Sequence, residues 1–261
     1  MADLTVQVIA FLVVAAFVAG FIDSIAGGGG MIALPALLIA GVPPLETLGT
    51  AKLQSLFGSG SASLAYARRG HVHLRTQLPL AVISAAGAAV GALAATVMPA
   101  YLLRLILPFL LIAIALFFAV KPDIDDSERA RKIGAFAFAA TLVPAIGFYD
   151  GIFGPGTGSF FMLALVTLAG FGVLKATAHT KVLNFGSNLG SFVVFAVSGA
   201  VLWKLGLMMG AGQFLGAQLG SRLAIRSGAR IIKPMLILSC VALTTRLLAD
   251  PTHPIRVWAG F

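Results

Sequence analysis

The sequence predicts an all-α integral membrane protein built from two related halves, and three observations carry that prediction. Apolar residues make up 59% of the chain and charged residues 10%, with a mean hydropathy of +1.01. A soluble globular domain does not have this composition. Apolar runs of membrane-spanning length follow one another along the whole chain. Two glycine-rich interruptions, each beside an aspartate, fall at matching places in the two halves: "FIDSIAGGGGMI" from Phe21 and "FYDGIFGPGTGSFF" from Phe148.

The apolar segments lie at roughly 4–22, 31–42, 45–67, 76–97, 100–120, 133–149, 159–170, 172–198, 203–221 and 233–249. Counting the short ones separately gives about 8–10 membrane segments. Most approach the ~20 residues that cross a bilayer. The first run lacks a basic flank and a small-residue cleavage site, so it reads as a mature helix and not as a signal peptide. The segments at 31–42 and 159–170 are too short to span comfortably, and each follows a glycine break. They read as half-helices or re-entrant segments. The one clearly polar loop, "KPDIDDSERARK" over 121–132, divides the chain into a first membrane repeat, 1–120, and a second, 133–261.

The halves align. "GFIDSIAGGG" from Gly20 matches "GFYDGIFGPG" from Gly147 and pairs Asp23 with Asp150. "KLQSLFGSGSASLAYARRG" from Lys52 matches "KVLNFGSNLGSFVVFAVSG" from Lys181, pairing the two lysines and also Gly70 with Gly199. Two matches in the same order point to a duplication. Loop charge gives the relative orientation. The basic loop of the first half, "RRGHVHLR" from Arg68, aligns with a loop of the second half whose single cation is Lys204. The basic loop of the second half, "SRLAIRSGARIIK", comes one segment later. By the positive-inside rule, equivalent loops then face opposite sides and the repeats are inverted. Both basic loops and the 121–132 linker are expected in the cytoplasm, with both termini extracytoplasmic.

Inverted repeats with helices broken at matching positions suit a secondary transporter that binds its substrate at the repeat interface. Each break is followed at once by a short helix. A helix N-terminus has free N–H groups and about half a positive charge, so two such ends facing each other would hold an anion. The candidate backbone donors are Gly28, Gly29 and Gly30 in the first half and Gly156, Thr157 and Gly158 in the second. Lys52, Ser55 and Ser59 share one helix stripe, and Lys181, Asn184 and Asn188 occupy the aligned positions. A lysine in mid-membrane costs ~2.5–3.5 kcal/mol and normally faces protein or water. A cation with hydroxyl and amide donors suits an oxyanion; the alternative is that both lysines snorkel from helix ends.

Asp23 and Asp150 are open to three readings: pairing with the lysines, carrying a coupling proton, or capping the polar turn. His179 titrates in a range useful for a proton step and is the third candidate for proton coupling. No enzyme is indicated. "GGGG" is followed by Met31, not by Lys-Ser/Thr, so it is no nucleotide phosphate loop. Cys240 stands alone, and no cluster has metal-ligand spacing, so neither a metal nor a cofactor is expected. The net charge of +9 lies mostly in short loops, where it acts on topology and does not imply nucleic acid.

The segments "AGGGGMIALPALL", "KLQSLFGS", "GFYDGIFGPGTGSFF" and "ATAHTKVLNFGSNLGS" resemble the TauE/SafE family of membrane transporters, also called sulfite exporters or toluene-sulfonate uptake permeases. The resemblance covers nearly the whole chain. One departure is Ala51, where relatives often have asparagine before the first lysine. The resemblance implies a multi-pass carrier of the inner membrane for small sulfur-containing anions, such as sulfite or organosulfonates. Taken together, the expectation is alternating access at the interface of the two repeats. The partners are a small anion, a coupling ion, most simply H+, and the lipid bilayer; a homo-oligomer is compatible with this. The alternative is a passive anion channel, since glycine-broken helices also line pores.

Overall fold

A computed structural model describes residues 5–99, 127, 128 and 130–228. The expected segments at 100–120 and 233–249, and most of the 121–132 linker, lie outside the described residues. Every regular element among those described is helical.

Helix α1, Val6–Ala26, begins at Thr5, whose hydroxyl accepts from the Val8 N–H, and stops at Gly27 with φ +83°. That left-handed turn is open to glycine at no steric cost. Helix α2, Gly30–Ile39, is about 15 Å long at 1.5 Å per residue, half a bilayer's hydrocarbon core. Helix α3, Pro44–Arg68, starts with a proline at the position where a missing N–H costs nothing. Helix α4 is Leu74–Val97. Helix α5, Ala135–Ile152, contains a π-helical turn at Phe138–Leu142 just before Pro144. A proline has no N–H for the regular ladder, and the wider turn adjusts to that. Helix α6, Thr157–Thr167, follows Gly156 at φ +78°. Helices α7, Val173–Val197, and α8, Trp203–Ser227, complete the set. Three of these helices, α1, α4 and α5, are long and apolar enough to cross a membrane, and α2 and α6 are shorter apolar helices.

Small residues set the packing. Gly212, Gly216 and Gly220 of α8 meet Val13, Phe17 and Phe21 of α1, while Gly206 and Gly210 meet Leu53 and Phe57 of α3. In the other half, Gly87 and Gly91 of α4 lie on Pro144 and Phe148 of α5, and Gly186 and Gly190 of α7 lie on Ala81 and Ala85 of α4. In each row the glycines recur every fourth residue, so backbones approach closely where lipid gives no hydrophobic drive for helix association. The order of these contacts makes α1, α3 and α8 mutually parallel, and likewise α4, α5 and α7. Between the two groups, Gly49 of α3 lies against Phe195 and Ala200, while Gly60 lies against Phe185. Helices α3 and α7 therefore run antiparallel. Outward-facing residues such as Val14, Val82, Leu93, Val193 and Leu215 are exposed and apolar, as a lipid-facing surface requires.

The interior has two apolar cores. One holds Tyr66, Phe138 and most of α6, and the other holds Leu12, Leu34, Leu37, Leu48 and Phe195. Buried polar groups are concentrated at the helix breaks and along α3 and α7: Asp23, Lys52, Asp150, Thr157, Lys181, Asn184 and Asn188.

Candidate anion site

The two glycine breaks meet. Gly27 and Gly158 are in contact so close that a β-carbon on Gly158 would stand 2.6 Å from the Gly27 Cα. A β-carbon on Gly30 would stand 3.4 Å from the Pro155 Cα. The N-termini of α2 and α6 thus face a common centre, where helix starts leave N–H groups without intrahelical partners. The Ser159 hydroxyl donates to the Ala26 carbonyl at 2.7 Å and ties the start of α6 to the end of α1.

The charges at this centre are exchanged between the halves. Lys52 on α3 pairs with Asp150 on α5, Nζ to Oδ1 at 2.8 Å. Lys181 on α7 pairs with Asp23 on α1, Nζ to Oδ2 at 3.3 Å, and also donates to the Asp23 main-chain carbonyl. Both lysines are buried, Lys52 at 4% exposure and Lys181 at 0%, so neither snorkels. Both aspartates fall within the last turn of their helices. The Asp23 Oδ1 accepts from the Gly29 N–H at 3.3 Å, so this carboxylate also caps the break. The Asp150 Oδ1 lies 2.7 Å from the Thr157 hydroxyl, which is also 2.8 Å from the Gly154 carbonyl. Gly154 has φ +88°, and a β-carbon there would stand 2.8 Å from the Lys52 Nζ. The left-handed torsion at 154 favours glycine, and a side chain there would also crowd the Lys52 ammonium.

A small cavity of about 30 Å³ opens among these groups. Of the residues expected to bind, Lys52, Ser55, Gly30, Thr157, Gly158, Asn184 and Asn188 line it, together with Asp23 and Asp150. The others stand elsewhere. Ser59 donates to the Ser55 carbonyl at 2.7 Å within its own helix. The Gly29 N–H serves Asp23, and Gly28 and Gly156 form the turns behind the helix starts. Lys181 lies behind Asp23. His179 is remote from the cavity, its Nδ1 2.8 Å from the Lys175 carbonyl and its ring 4.9 Å from that of Phe171.

Sequence reasoning placed Gly27 and Gly154 within the two breaks, and both line the cavity; it missed Phe153, Leu34, Leu48 and Ala51 as cavity walls. It also missed the buried hydroxyl of Tyr66, which donates to the Ser24 carbonyl at 2.8 Å and holds α3 to the end of α1. The glycines of the breaks were visible in the sequence, but which of them face the cavity depends on backbone torsions. Two buried oxygens at the cavity, Asp150 Oδ2 and Asn184 Oδ1, have no partner among the described residues. Buried polar atoms are rarely left so, and such a pair marks a place where a proton or a ligand donor fits.

Two broken helices joined end to end, with buried charges crossing between the halves and apolar helices around them, define a polytopic membrane protein with a buried polar centre. The chain belongs to the sulfite exporter TauE/SafE family, whose model matches residues 12–247. It is therefore a multi-pass membrane transporter of that family. It is 68% identical over 260 residues to the probable membrane transporter protein ORF9 of Sinorhizobium sp, covering 100% of both chains. It is 43% identical over 248 residues to a probable membrane transporter protein of Haemophilus influenzae, covering 95% of this chain and 97% of that one. With the probable membrane transporter protein YfcA of Escherichia coli it shares 44% identity over 246 residues, 94% of this chain and 91% of that one. No solved structure matches the chain.

Proposed function

We propose that this transporter is a secondary carrier of small anions, most simply sulfite or an organosulfonate, bound at the joint of two inverted repeats and moved by alternating access. The observation that carries the reading is the meeting of two broken-helix N-termini beside Lys52, Ser55, Asn184 and Asn188. The antiparallel course of α3 and α7 supports the inversion. The repeats correspond to 1–120 and 133–261, joined by the 121–132 linker.

Charge balance argues for a coupled proton. Lys52 and Lys181 are matched by Asp150 and Asp23, so the centre sums to zero. An anion entering a neutral buried site brings a charge that nothing compensates, which is costly. A proton on one carboxylate makes the centre positive by one and frees a lysine for the anion. Asp150 is the better acceptor, because its Oδ2 has no partner among the described residues, whereas both oxygens of Asp23 are engaged. His179 has no contact with the centre through which to take that part.

The cavity as it stands holds little more than a water molecule or two, given the ~10–15 Å³ of comparable volume that one water needs. That favours an occluded carrier conformation over a continuous anion channel. In the expected orientation, in the cell inner membrane, both termini lie outside and the 68–75, 121–132 and 222–233 loops lie in the cytoplasm. Labelling of Ser127→Cys from the outer face would overturn this orientation. The substrate test is thermal unfolding of the purified protein with sulfite, sulfoacetate, taurine, sulfate and carboxylates. A specific ligand raises the midpoint. Proteoliposome flux that saturates and follows a pH gradient is the expected result; flux linear in concentration and indifferent to pH belongs to a channel.

A further inference from the structure

The two basic loops that the sequence presents as separate topology signals come together in space. At the end of the bundle where the parallel helices α3 and α8 finish, a cavity of about 340 Å³ is lined by Arg68, Arg69, Arg222 and Arg226, with Ala65, Gln218 and Ile225. Among the described residues, no carboxylate stands within ion-pair distance of any of the four guanidinium groups. Gln218 is held in the wall by its Nε2, which donates to the Ser61 hydroxyl at 2.9 Å. The cavity is separate from the central site: Arg68 lies sixteen positions beyond Lys52 on α3, about 24 Å at 1.5 Å per residue.

We propose that this cavity binds the phosphate of an anionic phospholipid headgroup in the leaflet facing the α3 and α8 C-termini. Four arginines without a carboxylate partner among the described residues repel one another unless an anion lies between them. The guanidinium fork matches phosphate oxygens in a bidentate way that a lysine cannot. Basic pockets between membrane helices on the cytoplasmic side are suited to such headgroups. A free oxyanion would meet the same arginines, but the helix faces below the cavity favour a lipid. On α3, Leu64 lies one turn before Arg68 on the same face and is 41% exposed. On α8, Leu215 and Leu219 share a stripe with Arg222 and Arg226 and are 58% and 49% exposed. Arg68, Arg222 and Arg226 therefore cap apolar strips on which an acyl chain can lie. The proposal does not depend on the identity of the transported anion.

The test uses the full chain purified in a neutral detergent, with phosphatidylglycerol, phosphatidylcholine or inorganic phosphate added in turn. Phosphatidylglycerol should raise the unfolding midpoint by several degrees, with the rise weakening in high salt. Phosphatidylcholine and inorganic phosphate should leave the midpoint nearly unchanged. The rise should disappear in Arg68→Gln/Arg222→Gln and persist in Arg75→Gln, a cation of the same basic loop outside the cavity. An equal rise with inorganic phosphate would overturn the lipid assignment. An equal rise with phosphatidylcholine, or an undiminished rise in the double variant, would overturn the site. Should the double variant not fold, native mass spectrometry of the unaltered protein decides. Retention of phosphatidylglycerol over phosphatidylcholine supports the proposal, and equal retention of the two contradicts it.

Discussion

The two lysine–aspartate pairs are equivalent in the sequence alignment and unequal in space. Lys52 and Asp150 both line the cavity, and one carboxylate oxygen of Asp150 has no partner among the described residues. Lys181 has no exposed surface, is absent from the cavity wall, and grips both the carboxylate and the main-chain carbonyl of Asp23. Two similar lysine–aspartate pairs thus differ in setting. The first lines the cavity. The second fastens the end of α1 to α7 and fixes where the first break begins. The amides of the second half differ from their lysine, since Asn184 and Asn188 line the cavity together with Lys52.

The largest effect that sharpens this comparison is expected at Lys181. Removing one partner of a buried ion pair leaves an uncompensated charge and costs about 3–5 kcal/mol. Lys181→Gln should therefore show mainly as lost thermal stability, and Lys181→Gln combined with Asp23→Asn should recover part of it. Lys52→Gln also leaves its buried partner Asp150 unpaired and should lose stability too, but beyond that it should lose affinity. Charge-assisted hydrogen bonds contribute about 1.5–3 kcal/mol, equivalent to roughly ten- to a hundredfold in dissociation constant. Titration of the best-stabilising anion against both variants separates the two roles. Equal losses of stability and affinity in the two would mean that the pairs have not diverged.

The glycine breaks offer a second contrast, of smaller size. Gly158→Ala places a methyl against the Gly27 backbone and 2.7 Å from the Asn184 Nδ2, and should cost the 1–3 kcal/mol typical of overpacking, about what one hydrogen bond to a charge contributes. Gly30→Ala meets nothing nearer than 3.4 Å and should be milder. Comparison of their unfolding midpoints checks this, and a milder Gly158→Ala would mean that the breaks do not hold each other. The smallest effect is expected at Lys204, exposed near the start of α8, where Lys204→Gln should change stability by no more than about 0.5 kcal/mol.

Much of this was legible in the sequence because membrane constraints are local. Apolar runs located eight helices among the described residues, and the glycine breaks located the starts of α2 and α6. The stripe through Lys52 and Ser55 was readable from helical spacing alone. The ends of α1 and α5 were less so: the apolar runs stop at 22 and 149, but both helices continue past Asp23 and Asp150 to Ala26 and Ile152, and a lysine from the other half satisfies each carboxylate. Those exchanged pairs join residues far apart in the chain, and no spacing rule reaches across that distance. Ser59 was assigned to the site because it shares the stripe, although its hydroxyl donates to the Ser55 carbonyl within its own helix. Nor could the sequence foretell that Arg68 and Arg222 share one cavity, since that depends on α3 and α8 running parallel.

The most direct test is flux of the best-stabilising anion into proteoliposomes under a proton gradient, at matched incorporation of unaltered protein, Lys52→Gln, Asp150→Asn and Lys204→Gln. The account predicts that Lys52→Gln lowers anion flux at least tenfold, that Asp150→Asn removes the response to the gradient, and that Lys204→Gln behaves like the unaltered protein. Flux in Lys52→Gln equal to that in Lys204→Gln would contradict it.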